Sequence, residues 1–290
     1  VKKTVIGSSE VSDIQNPDEH LVFYGIELPT GNIPIEKTIQ IDNQFGPQTL
    51  DLTLRDLLAV PSQKISWEQP LDHFKCYAAI GLGTPPSEEV QLEDQFGTFS
   101  ATVGEPVFFA NPVAKWHGEV YTPLSNPNNH LTFYQLYYEG TPPSFYVQVT
   151  NQFGINQDLW VSGPYYLGVP TKKGPHDPPE GLDHFLVYKV DDSGAYPANV
   201  SLQDQWMSVE TAVGYPVMFG NPVKKTHGSV VTPIKHPDRH LVFYAINGGT
   251  FSAEELPIAN QFGPQFLNVV ATESDFLAVP SMKLEWSAIS

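Results

Sequence analysis

The sequence predicts an all-β protein: tandem antiparallel β-sandwich domains built from five repeats of about 55 residues in A-B-A-B-A order. Three observations predict it. One short signature is written five times at a regular period, apolar and polar residues alternate with period two around it, and 27 Pro and 22 Gly cut the chain into short segments.

The signature is Asp42-Asn43-Gln44-Phe45-Gly46. It returns as Glu93-Asp94-Gln95-Phe96-Gly97, Thr150-Asn151-Gln152-Phe153-Gly154, Gln203-Asp204-Gln205-Trp206 and Ala259-Asn260-Gln261-Phe262-Gly263. Each copy follows an opening histidine (His20, His73, His130, His184, His240) with a tyrosine four residues later. Successive histidines lie 53, 57, 54 and 56 residues apart. The segment before each signature alternates, as in Thr38-Ile39-Gln40-Ile41-Asp42 and Val90-Gln91-Leu92-Glu93, which reads as a strand with one buried face. The signature itself reads as a turn or bulge. Asn or Asp bonds its own backbone, Gly relieves the steric limit on φ, and the aromatic anchors the turn to the core.

Two flavours of repeat alternate. Repeats one, three and five (A) end in Val-Pro-Ser/Thr near Lys64, Lys173 and Lys283. Repeats two and four (B) open with Leu-Asp-His-Phe, end in Asn-Pro-Val and run into the linkers Lys115-Trp116-His117-Gly118 and Lys225-Thr226-His227-Gly228. A B-A pair of about 110 residues has the size of one β-sandwich domain. The expected domains are therefore 67–177 and 178–290, with 1–66 left as an amino-terminal half-domain. Half a sandwich exposes an apolar face and open strand edges, so a neighbouring subunit is expected to complete it by strand addition.

Composition narrows the partners. A net charge of −17 repels a phosphate backbone, which argues against nucleic acid. No run of about 18 apolar residues predicts a transmembrane helix, and Val1-Lys2-Lys3-Thr4 begins without an apolar signal core, as a processed terminus would. Cys76 is the single cysteine, which excludes an intrachain disulfide and the usual cysteine-based zinc sites.

Catalytic, cofactor-binding and metal residues are assigned to none. The five histidines each fall in a different copy of the repeat, so an imidazole bonding a turn at a strand start is preferred to a metal or general-base role. Asp42, Asp94 and Asp204 raise calcium as a minor alternative, with Asp191-Asp192-Ser193-Gly194 the better loop, but two of the five signatures carry Asn with Thr or Ala before it and so no acid at all (Asn151, Asn260). No Gly-x-Ser-x-Gly, His-Glu-x-x-His or Gly-rich phosphate loop is present, so the expectation is a protein that is not an enzyme. Trp116, Tyr137, Tyr138, Tyr165 and Tyr166 stand outside the repeated landmarks and suit either domain packing or a glycan or protein partner.

The set Leu71-Asp72-His73-Phe74-Lys75-Cys76-Tyr77, Asp94-Gln95-Phe96-Gly97, Asn111-Pro112-Val113 and Val60-Pro61-Ser62 resembles a family of uncharacterised repeat domains predicted to be secreted or surface proteins of bacteria and some archaea. The resemblance brings no activity and no catalytic residue. It does imply cysteine pairs, at positions occupied here by Phe23 and Ala59, Cys76 and Ala110, Phe133 and Gly168, Val187 and Gly220, Phe243 and Ala278. A larger residue is matched with a small one each time, as if packing had replaced a buried disulfide, so the pairs should touch. The functional expectation is an extracellular structural protein, a subunit of a self-assembling filament, sheath or surface layer. The alternative is an adhesin or a carbohydrate- or protein-binding surface module without catalysis.

Overall fold

The computed structural model describes residues 71–250 and 254–289 and, before them, six strands: β1 (Lys3–Thr4), β2 (Val11–Ser12), β3 (His20–Gly25), β4 (Lys37–Asn43), β5 (Gly46–Leu52) and β6 (Leu57–Ser62). Residues 1–68 and 69–290 are two separate compact units. In the first, β1 pairs β2, β3 pairs β6, and β4 pairs β5 as a hairpin whose tip joins Asn43 to Gly46. Thr38 and Gln40 are exposed, as the alternation requires. Gln44, Phe45 and Lys64 lie outside the described residues.

The second unit holds fifteen strands in one antiparallel network. Repeat two supplies β7 (His73–Gly81), β8 (Glu88–Asp94), β9 (Gly97–His117) and β10 (Val120–Thr122). Repeat three supplies β11 (His130–Tyr137), β12 (Ser144–Asn151) and β13 (Gly154–Lys173). Repeat four supplies β14 (His184–Ser193), β15 (Ala198–Gln203), β16 (Ser208–His227) and β17 (Val230–Thr232). Repeat five supplies β18 (His240–Ile246), β19 (Glu254–Asn260), β20 (Gly263–Val270) and β21 (Asp275–Ile289).

Each opening strand lies between the long strand of its own repeat and that of the repeat before it. The order β7-β9-β11-β13-β14-β16-β18-β21 returns to β7, so eight strands close a ring. An eight-stranded ring has an interior that side chains just fill. Here Phe74, Cys76, Ala110, Leu131, Phe133, Phe185, Val187, Leu241, Phe243 and Ala278 fill it, with Leu71 and Leu182 in the same cluster.

The all-β antiparallel class is as expected, and layers do pack face to face. The boundary expected at 177/178 is not there: β13 pairs β14 across it, from Leu159↔Ser193 to Gly168↔Phe185, and the layers draw on all four repeats. The expected linkers after the B repeats are hairpins, in which β9 turns at Gly118 to pair β10 and β16 turns at Gly228 to pair β17. Both glycines sit at φ +57°, where a side chain is strained.

All five large–small pairs are direct cross-strand partners: Phe23↔Ala59, Cys76↔Ala110, Phe133↔Gly168, Val187↔Gly220 and Phe243↔Ala278. The last four crowd one narrow interior, so a small residue opposite a large one is a volume requirement. A β-carbon on Gly168 would stand 2.7 Å from Phe133.

The repeated prolines occupy places where a ladder has already ended. Pro112, Pro170, Pro222 and Pro280 pair with the opening strand of their own repeat. Each lies two residues beyond the last residue joined to the next repeat, namely Ala110, Gly168, Gly220 and Ala278. The missing N–H therefore removes no bond on that side.

The hairpins form the outer layer. Val90 and Leu92, Val147 and Val149, Val200 and Leu202 turn inward onto the ring wall, where Tyr134, Tyr188, Val223, Val242, Tyr244 and Val279 complete that core. Each hairpin also pairs with the far end of the long strand two repeats along: β8 with β16, β15 with β9, β12 with β21 and β19 with β13. The Asp of Leu-Asp-His-Phe fastens the next connection. Asp72 accepts from the backbone N–H groups of Ser125 and Asn126, and Asp183 from those of Lys235 and His236.

Candidate functional site

The hairpin tips make the densest polar constellation. In every described tip the Asx Oδ1 accepts the N–H two residues on, from Phe96, Phe153, Trp206 and Phe262, at 2.8 to 3.0 Å. This Asx turn is local and was expected. The other side-chain atom reaches the repeat two along. Tyr188 Oη donates to Asp94 Oδ2 at 2.9 Å and Tyr77 Oη to Asp204 Oδ2, while Asn151 Nδ2 donates to Tyr244 Oη and Asn260 Nδ2 to Tyr134 Oη. The ring of the tip aromatic meets the same tyrosine edge-on: Phe96 with Tyr188, Phe153 with Tyr244, Trp206 with Tyr77 and Phe262 with Tyr134, at 4.9 to 5.2 Å.

The alternation of repeat types follows from a second bond. Asp tips are acceptors and face a donor, so Asn221 Nδ2 donates to Asp94 and Asn111 Nδ2 to Asp204. Asn tips donate through Nδ2 and face a hydroxyl, Ser281 for Asn151 and Thr171 for Asn260. Asn-Pro-Val therefore belongs with an Asp tip and Pro-Ser/Thr with an Asn tip. Like meets like, two repeats apart.

The glutamine of the tip turns to a third repeat. Gln152 contacts His73 Nε2 and Gln205 contacts His130 Nε2. His130 and His240 donate from Nδ1 to the carbonyls of Asn128 and Asp238, the turn-bonding role expected for the opening histidines. Burial pushes His73, His130, His184 and His240 down to about 3, so all four are neutral at physiological pH.

Three residues beyond each strand-end proline stands a lysine: Lys115, Lys173, Lys225 and Lys283. Each ammonium lies over the tip aromatic of the following repeat in the ring order, Phe153, Trp206, Phe262 and Phe96, at 3.8 to 5.7 Å from the ring centre. Burial lowers all four to about 8. Lys75 differs, being buried in an ion pair with Asp275 at 2.7 Å.

The calcium candidates are committed elsewhere. Asp94 and Asp204 spend both oxygens on the bonds above, while Asp191 and Asp192 are exposed at the end of strand β14 rather than gathered in a loop. Asp42 has no described side chain. Among the described residues no group of three His, Cys, Asp or Glu could hold a metal. Of the aromatics outside the landmarks, Trp116 packs on exposed Tyr121 at 4.5 Å and Tyr166 closes on Phe108 beside the ring interior. Tyr137 and Tyr138 line a shallow groove of about 440 Å³ with Gln91, Ser100 and Thr226. No described helix is long and apolar enough to cross a membrane.

Sequence reasoning found the tip turns and missed their partners. The signal was present: Asp94 and Asp204 sit in repeats ending Asn-Pro-Val, while Asn43, Asn151 and Asn260 sit in repeats ending Pro-Ser/Thr.

No curated protein and no solved structure matches the chain. A family model does, twice, over residues 20–170 and 139–280, and together these matches span all five signatures. The chain belongs to the family that this model describes, a repeat of unknown function, DUF7450.

Proposed function

We propose that the chain is an extracellular structural protein, a subunit of a self-assembling filament, sheath or surface layer held by strand contacts between subunits. The observation that carries the reading is the surplus repeat. Four repeats satisfy one another in the ring, where every opening strand has two neighbours. The first repeat keeps the same internal register, His20↔Ser62 to Gly25↔Leu57, but among the described residues β3 pairs only β6 and β4 only β5. Isolated two-stranded pairs are marginal in water. Strands from a neighbouring subunit would supply what the other repeats supply within the ring, by β-augmentation. The buried landmarks of the four ring repeats lock hairpins to walls, which suits a load-bearing part.

Negative-stain electron microscopy of the purified protein, with and without calcium, tests this. Filaments, tubes or lattices are the expected result. Dispersed particles the size of one chain would remove the reading, and saturable glycan binding by such a monomer would establish a surface-binding module in its place.

A further inference from the structure

Two of these lysines, the buried Lys115 and the half-buried Lys283, touch a carboxamide oxygen. Lys115 Nζ donates to Gln152 Oε1 at 2.6 Å, and Lys283 Nζ donates to Asn221 Oδ1 at 3.2 Å. What stands behind the carboxamide separates them. Behind Gln152 is His73, an imidazole that burial keeps neutral and a weak proton acceptor. Behind Asn221 is a carboxylate, since Asn221 Nδ2 donates to Asp94 Oδ2 at 3.0 Å. Amine, carboxamide and carboxyl thus stand in series. Asn221 is fully buried, the Phe96 ring lies 4.9 Å from Lys283 Nζ, and Tyr188 Oη holds the same Asp94 oxygen.

We propose that Lys283 and Asn221 join in an intramolecular isopeptide bond, formed autocatalytically with Asp94 as the proton relay. The neutral Nζ adds its lone pair to Cγ of Asn221, and the carbonyl electrons move onto Oδ1. The proton that Nζ then sheds passes to Asp94, which returns it to Nδ2. Collapse restores the carbonyl, breaks Cγ–Nδ2 and expels ammonia. One primary amine and one carboxamide become a secondary amide and ammonia, with no oxidant, reductant or cofactor required. The fold supplies the encounter that makes such a slow reaction effectively unimolecular.

The surroundings suit both partners. Burial brings the Lys283 amine down to about 8, which leaves a neutral fraction near neutral pH, and burial raises the Asp94 carboxyl, which favours its taking a proton. The sister position lacks the contact. Lys173 Nζ lies over Trp206 without a hydrogen-bond partner, and Asn111 Oδ1 is held by Gln205 Nε2 at 2.9 Å. The bond is therefore assigned to one pair. It would tie β21 to β16 across the intervening β18, closing a covalent loop between positions 62 residues apart.

The test is the intact mass of the full chain under denaturing conditions. The expected value lies one ammonia, about 17 Da, below the mass of the sequence, with the Lys283 and Asn221 peptides joined after proteolysis and no tryptic cleavage at Lys283. Asp94→Asn is the informative variant, because Asn already serves this turn at positions 151 and 260. It should fold, as circular dichroism would show, and keep the full mass; Lys283→Arg should do the same. A folded wild-type chain that retains the full mass and a cleavable Lys283 after days at pH 8 would overturn the proposal. So would a deficit mapped to any other pair, or a deficit that survives in Asp94→Asn.

Discussion

Acid should unfold the ring through its four opening histidines, and the size of the effect follows from their burial. His73, His130, His184 and His240 are each at most 7% exposed and are held at about 3. An unfolded histidine titrates near 6.5. Between these values the unfolded chain binds a proton that the fold refuses, so stability is complete above about pH 6.5 and is lost as pH falls toward 3. At pH 5 the loss is about 2 kcal/mol per histidine and about 8 kcal/mol for four. A domain's entire stability is about 5–15 kcal/mol. Asp72 and Asp94, whose carboxyls burial raises, act in the opposite sense, but they are two against four. Lys115, Lys173 and Lys225, held at about 8, stay charged between pH 6.5 and 3 and leave the slope there to the histidines. Urea unfolding followed by far-UV circular dichroism at pH 7.5, 6.0 and 5.0 should show the midpoint collapsing across the series. His240→Asn, which keeps a donor for the Asp238 carbonyl, should remove about one quarter of the pH dependence, one site of four. Equal midpoints at pH 7.5 and 5.0 would refute the reasoning.

Two further outcomes follow from the ring interior. Ala110→Cys places a thiol directly opposite Cys76 in the register, and under oxidation the pair should close. Constraining a loop of 34 residues stabilises by up to about 4 kcal/mol in the chain-entropy description, read as a gain in urea midpoint that reductant reverses. Failure to oxidise would contradict the register. Gly168→Ala sets a β-carbon 2.7 Å from the Phe133 ring, whereas Gly220→Ala meets Phe243 at an ordinary 3.4 Å. The first should lose about 1–3 kcal/mol as overpacking and the second far less. Equal melting temperatures for the two variants would mean that the interior is not packed as described.

Much of the local structure was legible in the sequence. Period-two alternation marked the hairpin strands, the Asx-Gln-aromatic signature marked their tips, and the cysteine positions implied by the family resemblance, among them Phe133 with Gly168 and Phe243 with Ala278, marked strands that face each other. The global pairing was not legible. A repeat's own register leaves its opening strand with one free edge, and the alternation that fits Leu131 and Phe133 to a ring interior fits a sandwich face equally well. Adjacent B and A repeats were expected to pair because together they have the size of one β-sandwich domain. The chemistry of the tips prefers repeats two apart, since Asp94 needs the donor of Asn221 and Asn151 the hydroxyl of Ser281. That preference lay in the sequence as a correlation between tip and strand end, but it becomes a contact only once the ring sets them side by side. The lysines over the tip aromatics were visible as a motif, and their burial was not.

Ring closure itself is tested most directly by cutting the chain between β13 and β14, at 177/178, and purifying residues 69–177 and 178–290 separately. Each half would carry two ring edges without partners and hairpin tips whose tyrosines lie in the other half. Light scattering and circular dichroism should find no folded monomer of either half, and should find a folded one-to-one complex when the halves are refolded together. A stable, folded, monomeric half on its own would contradict the closed ring.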